Sequence, residues 1–393
     1  MKRAHAAVWA LVAPGALALG AGCHGDTTLG PPDSFAVYAP VEAAAGAPPR
    51  SAAGLELVSL LAPDDPRAEP LYRELSIGFA GEVLRTDYLA KQLVRDALIG
   101  GRRYPDAARA AAAEPTAFVV GGAGSEKAGR GLALKGTFGA ADHANVTWIA
   151  LDRYPDHDHA LPQTLAGLIG RAAAVRVAGT EGPPPGALVE GYARALEVIA
   201  REWRVGEGAD GAIAPGVGTR EQRERFAAVR ENRYAVGPDG APRSPAELLA
   251  DSGLAATVLY RLVQSKSVGR KVAPPEVYAP FVTDRIPPGI SPAAVLGPFR
   301  NFQAKLLSAW GRAVLEGRAP RDIADLVEAY GRALPAERAE VIRILVITTY
   351  GATVRAGGVR LPPGDAGAAL PELTALAAQV AAGKLSLRAA LSP

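Results

Sequence analysis

Apolar residues recur every three to four positions between 66 and 98: Leu71, Leu75, Phe79, Val83, Leu84, Tyr88, Leu89, Leu93 and Leu98. That period predicts amphipathic helix. An Ala-rich helix is expected around 106–113. At Thr116 the texture changes to short β-prone runs: 116–120, ending at Gly121-Gly122, then 131–136 and 145–151. These three runs are expected to share a small sheet. Residues 161–177 return to a helical pattern with almost no charge, which predicts a buried helix. A second helix follows at 187–203, a charged one at 219–232, and loops separate them. Ser244-Pro245-Ala246-Glu247 is a helix start, with Ser as N-cap, Pro in the first turn and Glu three positions after the cap. It leads into the apolar run 248–263. Beyond 291 the pattern is all helical, over 292–315, 322–334, 336–350 and 371–382. No internal repeat is evident.

The fold class expected from this order is α+β, predominantly helical. A small sheet precedes a buried helix, and a helical region forms the C-terminal part. Composition agrees with a packed core: 49% of the 393 residues are hydrophobic and 21% charged. The net charge is +3 and the two signs are mixed along the chain, so a basic face for nucleic acid is not expected. Cys23 is the single cysteine. It excludes intrachain disulfides and thiolate metal clusters.

The N-terminus carries its own message. Met1-Lys2-Arg3 is a short basic start, 6–19 is an apolar run, and Gly20-Ala21-Gly22 are small residues before Cys23. This arrangement resembles the lipobox of bacterial lipoproteins, in which the cysteine is acylated and becomes the new N-terminus. The chain departs from the pattern at Gly20, where a Leu is usual; Leu19 lies one place earlier. The alternative is an ordinary secretory signal cut nearby. The run is interrupted by Pro14, Gly15 and Gly20 and is shorter than the roughly 20 residues that cross a bilayer. His24, not Asp, follows the cysteine, which by the same resemblance directs the protein to the outer membrane. The expected organisation is a signal peptide over 1–22, a lipid-anchored flexible tether over 23–54 and a helical plus small-sheet domain over 55–205. A linker with a charged helix over 206–243 and a helical region over 244–393 complete it.

The candidate chemistry lies on the buried helix and the one after it. Their sequences read Thr164-Leu165-Ala166-Gly167-Leu168-Ile169-Gly170-Arg171 and Glu190-Gly191-Tyr192-Ala193. A strand, a loop, a buried helix and a second helix bearing Glu-Gly resemble the gluzincin metallopeptidases. That family carries His-Glu-x-x-His on the buried helix: two zinc-binding His one turn apart and a Glu that activates water. A third ligand, Glu, comes from the following helix, in one branch nineteen positions after the second His. Here the first His position is Gly167, the Glu position Leu168 and the second His position Arg171, with Glu190 nineteen residues further on. The resemblance therefore implies a degenerate zincin-like fold in which one of four functional positions survives. It implies no catalytic residue and no resident cofactor. Arg171 and Glu190 are expected to face each other, the guanidinium neutralising the carboxylate in place of zinc.

Three functions follow as expectations. The first is an envelope lipoprotein with a peptidase-like scaffold that has lost catalysis and binds a peptide, a glycan or an envelope protein. The second is an active metal-dependent hydrolase that holds zinc through His157, His159 and Glu190, since Asp156-His157-Asp158-His159 alternates donors. The third is a purely structural helical lipoprotein. The glycine-rich 121–131 is neither dinucleotide fingerprint nor P-loop, because Ala128 follows Lys127. Tyr192, Tyr260 and Trp310 fall within helical patterns and are expected to pack.

Overall fold

The structure is a computed structural model. It describes residues 35–40, 51–52, 55–56, 58–99, 116–120, 132–133, 136–138, 141–143, 147–151, 161–178, 186–205, 220–237, 243–274, 277, 292–350 and 371–391.

The sheet is built from β1 (Phe35–Pro40), β4 (Val58–Leu60), β5 (Thr116–Val120), β6 (Leu132–Ala133) and β9 (Thr147–Leu151), in the order β4-β1-β5-β9-β6. The short pairs β2 (Ser51–Ala52) with β3 (Leu55–Glu56), and β7 (Gly136–Phe138) with β8 (Ala141–His143), form two separate ribbons. The three central strands are parallel, with Val37 opposite Phe118 and Phe118 opposite Ile149. Both edge strands are antiparallel, placing Leu60 beside Tyr38 and Leu132 beside Trp148. Parallel neighbours need a crossover. Between β1 and β5 the chain includes α1 (Glu69–Ile77) and α2 (Phe79–Ile99).

The α+β, mostly helical class expected above is what is found. The helical pattern over 66–98 is broken once, at Gly78, whose backbone is extended. The helix expected at 106–113 lies outside the described residues. The three expected strands do share one sheet. The tether is different: Phe35–Pro40, placed within 23–54 as flexible chain, is instead an inner strand, and Val37 is fully buried. Its apolar positions pair with β5 on one side and β4 on the other, so long-range pairing overrides the Pro- and Ala-rich surroundings.

The buried helix is α3 (Leu161–Ala178), and α4 (Gly186–Val205) follows it. Then come α5 (Arg220–Arg230), α6 (Pro245–Leu249), α7 (Ser252–Gln264) and α8 (Lys266–Arg270). The C-terminal region holds α9 (Pro292–Leu315), α10 (Ile323–Ala333), α11 (Arg338–Thr348), α12 (Pro371–Ala381) and α13 (Leu387–Leu391). Ser244 caps α6 with the expected box: its hydroxyl accepts from the Glu247 N–H, and the Glu247 carboxylate accepts from the Ser244 N–H at 2.8 Å. The apolar run 248–263 is two helices, because Asp251 caps α7 by accepting from the Gly253 and Leu254 amides.

One hydrophobic core runs through the described residues, from Val37 to Leu391. It crosses the boundaries expected at 205 and 244. Phe79 of α2 packs on Phe299 of α9 with ring centroids 5.0 Å apart, and Tyr192 of α4 donates to Gln303 Oε1 of α9 at 2.5 Å. The charged α5 is not a free linker helix: Phe226 and Val229 are buried, and α5 packs on α7.

Candidate functional site

Helices α3 and α4 lie side by side and run in opposite directions. Arg171 of α3 meets Glu190 near the start of α4, with Nη2 2.5 Å from Oε1. The two side chains are 22% and 36% exposed. The pair is therefore wet on one side, and the sheet lies on α3 through β6 and β9. This is the contact that the nineteen-residue spacing anticipated.

The other two positions of the frame are filled by packing. Leu168 is buried in the core. Gly167 sits beneath Glu197 of α4, and a Cβ there would lie 2.7 Å from Glu197 Cγ. A His at 167 would collide with that side chain as it stands. The donor set does not fit zinc. Gly167 offers no ligand atom, Leu168 is apolar, Arg171 is a permanent cation, and Glu190 is engaged by that cation. Among the described residues, no three of His, Cys, Asp and Glu gather as metal donors do. His157 and His159 lie outside the described residues, as do Cys23 and the glycine-rich 121–131.

Glu190-Gly191, which carried part of the resemblance, also has a packing reason. A Cβ on Gly191 would stand 2.5 Å from Ala255 Cβ and 3.0 Å from the Ser252 carbonyl oxygen. Glycine is what lets α7 cross α4 at that point.

Glu197 extends the polar seam beyond what sequence reasoning found. It lies two turns after Glu190 on the same helix face. Arg225 of α5 reaches it, with Nη2 3.8 Å from Oε2. Gln222 of α5 donates to Thr164 Oγ1 of α3 at 3.2 Å, so α5 closes one end of the seam. Burial pushes the Glu197 carboxyl above its ordinary range; Arg225 and Arg194 oppose this, and Glu221 and Glu190 add to it. One turn further lies Arg201, buried against Phe226. The seven-residue step from Glu190 to Glu197 was visible in the sequence. The role of α5 was not, because it depends on how that helix folds back.

Tyr192, Tyr260 and Trp310 are buried packing residues, as expected. Tyr260 also donates to Glu202, which accepts from Gln264 Nε2 at 2.7 Å. No helix among the described residues is long and apolar enough to cross a membrane. Comparison with protein-family models, curated proteins and solved structures found no match for this chain.

Proposed function

We propose that this chain is a lipoprotein of the bacterial cell envelope, anchored at Cys23 in the outer membrane. On this reading its α3–α4 region descends from a gluzincin-like metallopeptidase, has lost catalysis, and binds a peptide, a glycan or an envelope protein along the seam. The observation that carries the reading is the 2.5 Å contact between Arg171 and Glu190, at the positions of the family's second His and its glutamate ligand. A guanidinium there neutralises the carboxylate, as a metal would, without Lewis acidity. Leu168 at the position of the water-activating Glu removes the general base. The position of the sheet against α3 supports the same layout. The hydrolase reading through His157, His159 and Glu190 is less well supported, because Glu190 is already engaged by Arg171.

The test restores the ligands. The purified chain is incubated with zinc, dialysed and assayed for bound metal. Gly167→His with Arg171→His follows, and Glu197→Ala clears the space. Wild type is expected to hold no stoichiometric zinc and to cleave no peptide. The restored chain is expected to bind one zinc, lost again on Glu190→Ala. A restored chain that folds yet binds none would break the proposed descent. Zinc-dependent cleavage by wild type would overturn the loss of catalysis.

A further inference from the structure

Three cations among the described residues are fully buried: Arg176, Arg201 and Lys305. Two have a carboxylate partner. Arg176 Nη2 lies 2.9 Å from Asp87 Oδ1, and Lys305 Nζ lies 2.7 Å from Glu337 Oε1. Arg201 has none among the described residues. Its Nε, Nη1 and Nη2 all lack an acceptor, although the residue is only 1% exposed. The Phe226 ring covers it at 5.0 Å from the guanidinium carbon, but a cation–π contact returns less than the desolvation of an ion takes away. The balance calls for a counter-charge.

The nearby acids are committed elsewhere. Glu197, one turn back on α4, is approached by Arg225 at 3.8 Å. Glu202 is taken by Arg230 at 3.3 Å, together with Tyr260 and Gln264. Arg201 lines a small, partly open space between α3, α4 and α5, shared with Gln163, Glu197, Gln222, Arg225 and Phe226. Arg225 Nε is likewise buried without an acceptor. Arg225 is shared between Glu197 and Glu221, each 3.8 Å away, which leaves Arg201 without a carboxylate of its own. The space is about 10 Å³, the size of a site for one water molecule or one small ion. A water would satisfy donors but leave the charge uncompensated.

We propose that this cavity binds a single halide ion, held by the guanidinium of Arg201 and the Nε–H of Arg225. The site is independent of the Arg171–Glu190 pair and of any descent from a peptidase.

The experiment follows the thermal midpoint of the purified full chain in chloride, bromide or gluconate at constant ionic strength. Halide is expected to raise Tm in proportion to the logarithm of its concentration, while gluconate does not. Arg201→Met, which keeps an apolar stem and removes the guanidinium, is expected to lose that dependence. Should Arg201→Met fail to fold, crystals of wild type grown in bromide decide, with an anomalous peak expected beside Arg201. A midpoint that follows ionic strength alone, an equal response to formate and acetate, an unchanged response in Arg201→Met, or a lone water at the bromide position would each overturn the site.

Discussion

Helix α3 carries two arginines five positions apart, each against a carboxylate, and they do different work. Arg176 and Asp87 are sealed, 2% and 1% exposed. Asp87 also accepts from Thr116 Oγ1 at 2.5 Å, so this pair ties α2, α3 and β5 together. Arg171 and Glu190 keep a wet face and join α3 to α4. Solvation separates them. In a sealed site water cannot replace a lost partner, so losing one strands a charge. At a half-exposed pair water takes up the loss, and the net contribution is about 0–1 kcal/mol. The inner pair belongs to the fold, whereas the outer pair is available to something else.

The sharpest way to break this contrast is at Asp87. Asp87→Ala is expected to cost about 3–5 kcal/mol in equilibrium denaturation, because Arg176 loses its carboxylate in a sealed site. Asp87→Leu combined with Arg176→Met is expected to recover much of that loss, since two apolar groups need no partner. A cost below about 1 kcal/mol for Asp87→Ala would make the two pairs equivalent. Next in size is Gly191→Ala. Its methyl would meet Ala255 and the backbone of α7, and overpacking of this kind costs about 1–3 kcal/mol. Denaturation of the single variant measures it. A neutral result would show that α4 and α7 separate easily, and the glycine would then need another explanation.

Where the contrast was readable in advance is itself instructive. The helices 161–178 and 292–315 came out within a residue or two of their apolar patterns, and the Ser244 box was legible because its signals are local. Strand β1 was not legible. FAVYAP sits among Pro, Gly and Ala, and its identity comes from partners more than seventy residues away at Thr116–Val120. The chemistry divides the same way. Arg171 and Glu190 could be paired by counting along two consecutive helices. Glu197, Arg201 and Arg225 acquire meaning only when α5 folds over the seam, a tertiary event with no local signature. Asp87 and Arg176, eighty-nine positions apart, carry no signal of their pairing in a single sequence.

Glu197 sharpens the comparison through pH. Burial raises its carboxyl above the ordinary value of 4.5 in the folded chain. The folded state then holds this proton more tightly than the unfolded state, so protons favour folding between the ordinary and the raised value. Its contribution to stability falls as pH rises through that window and is level above it. Glu197→Gln is expected to remove that slope. Urea denaturation of both chains from pH 4.5 upward checks it. Parallel curves would mean that Glu197 is as well hydrated as Glu190, and that α5 does not close the seam.

The smallest expected effect is the one that decides what the outer pair is for. Arg171→Ala and Glu190→Ala are each expected to change stability by less than about 1 kcal/mol, since both side chains retain water. Under the proposed function the same two changes should weaken partner capture. The measurement is crosslinking in intact envelopes, comparing each variant with wild type at matched abundance. Matched abundance matters because an unstable chain loses every partner, whereas a stable chain that loses one has lost a surface. If instead either variant destabilises the chain as strongly as Asp87→Ala, both pairs on α3 are structural. The Arg171–Glu190 contact would then be a second staple of the fold, and the binding surface would have to be sought elsewhere.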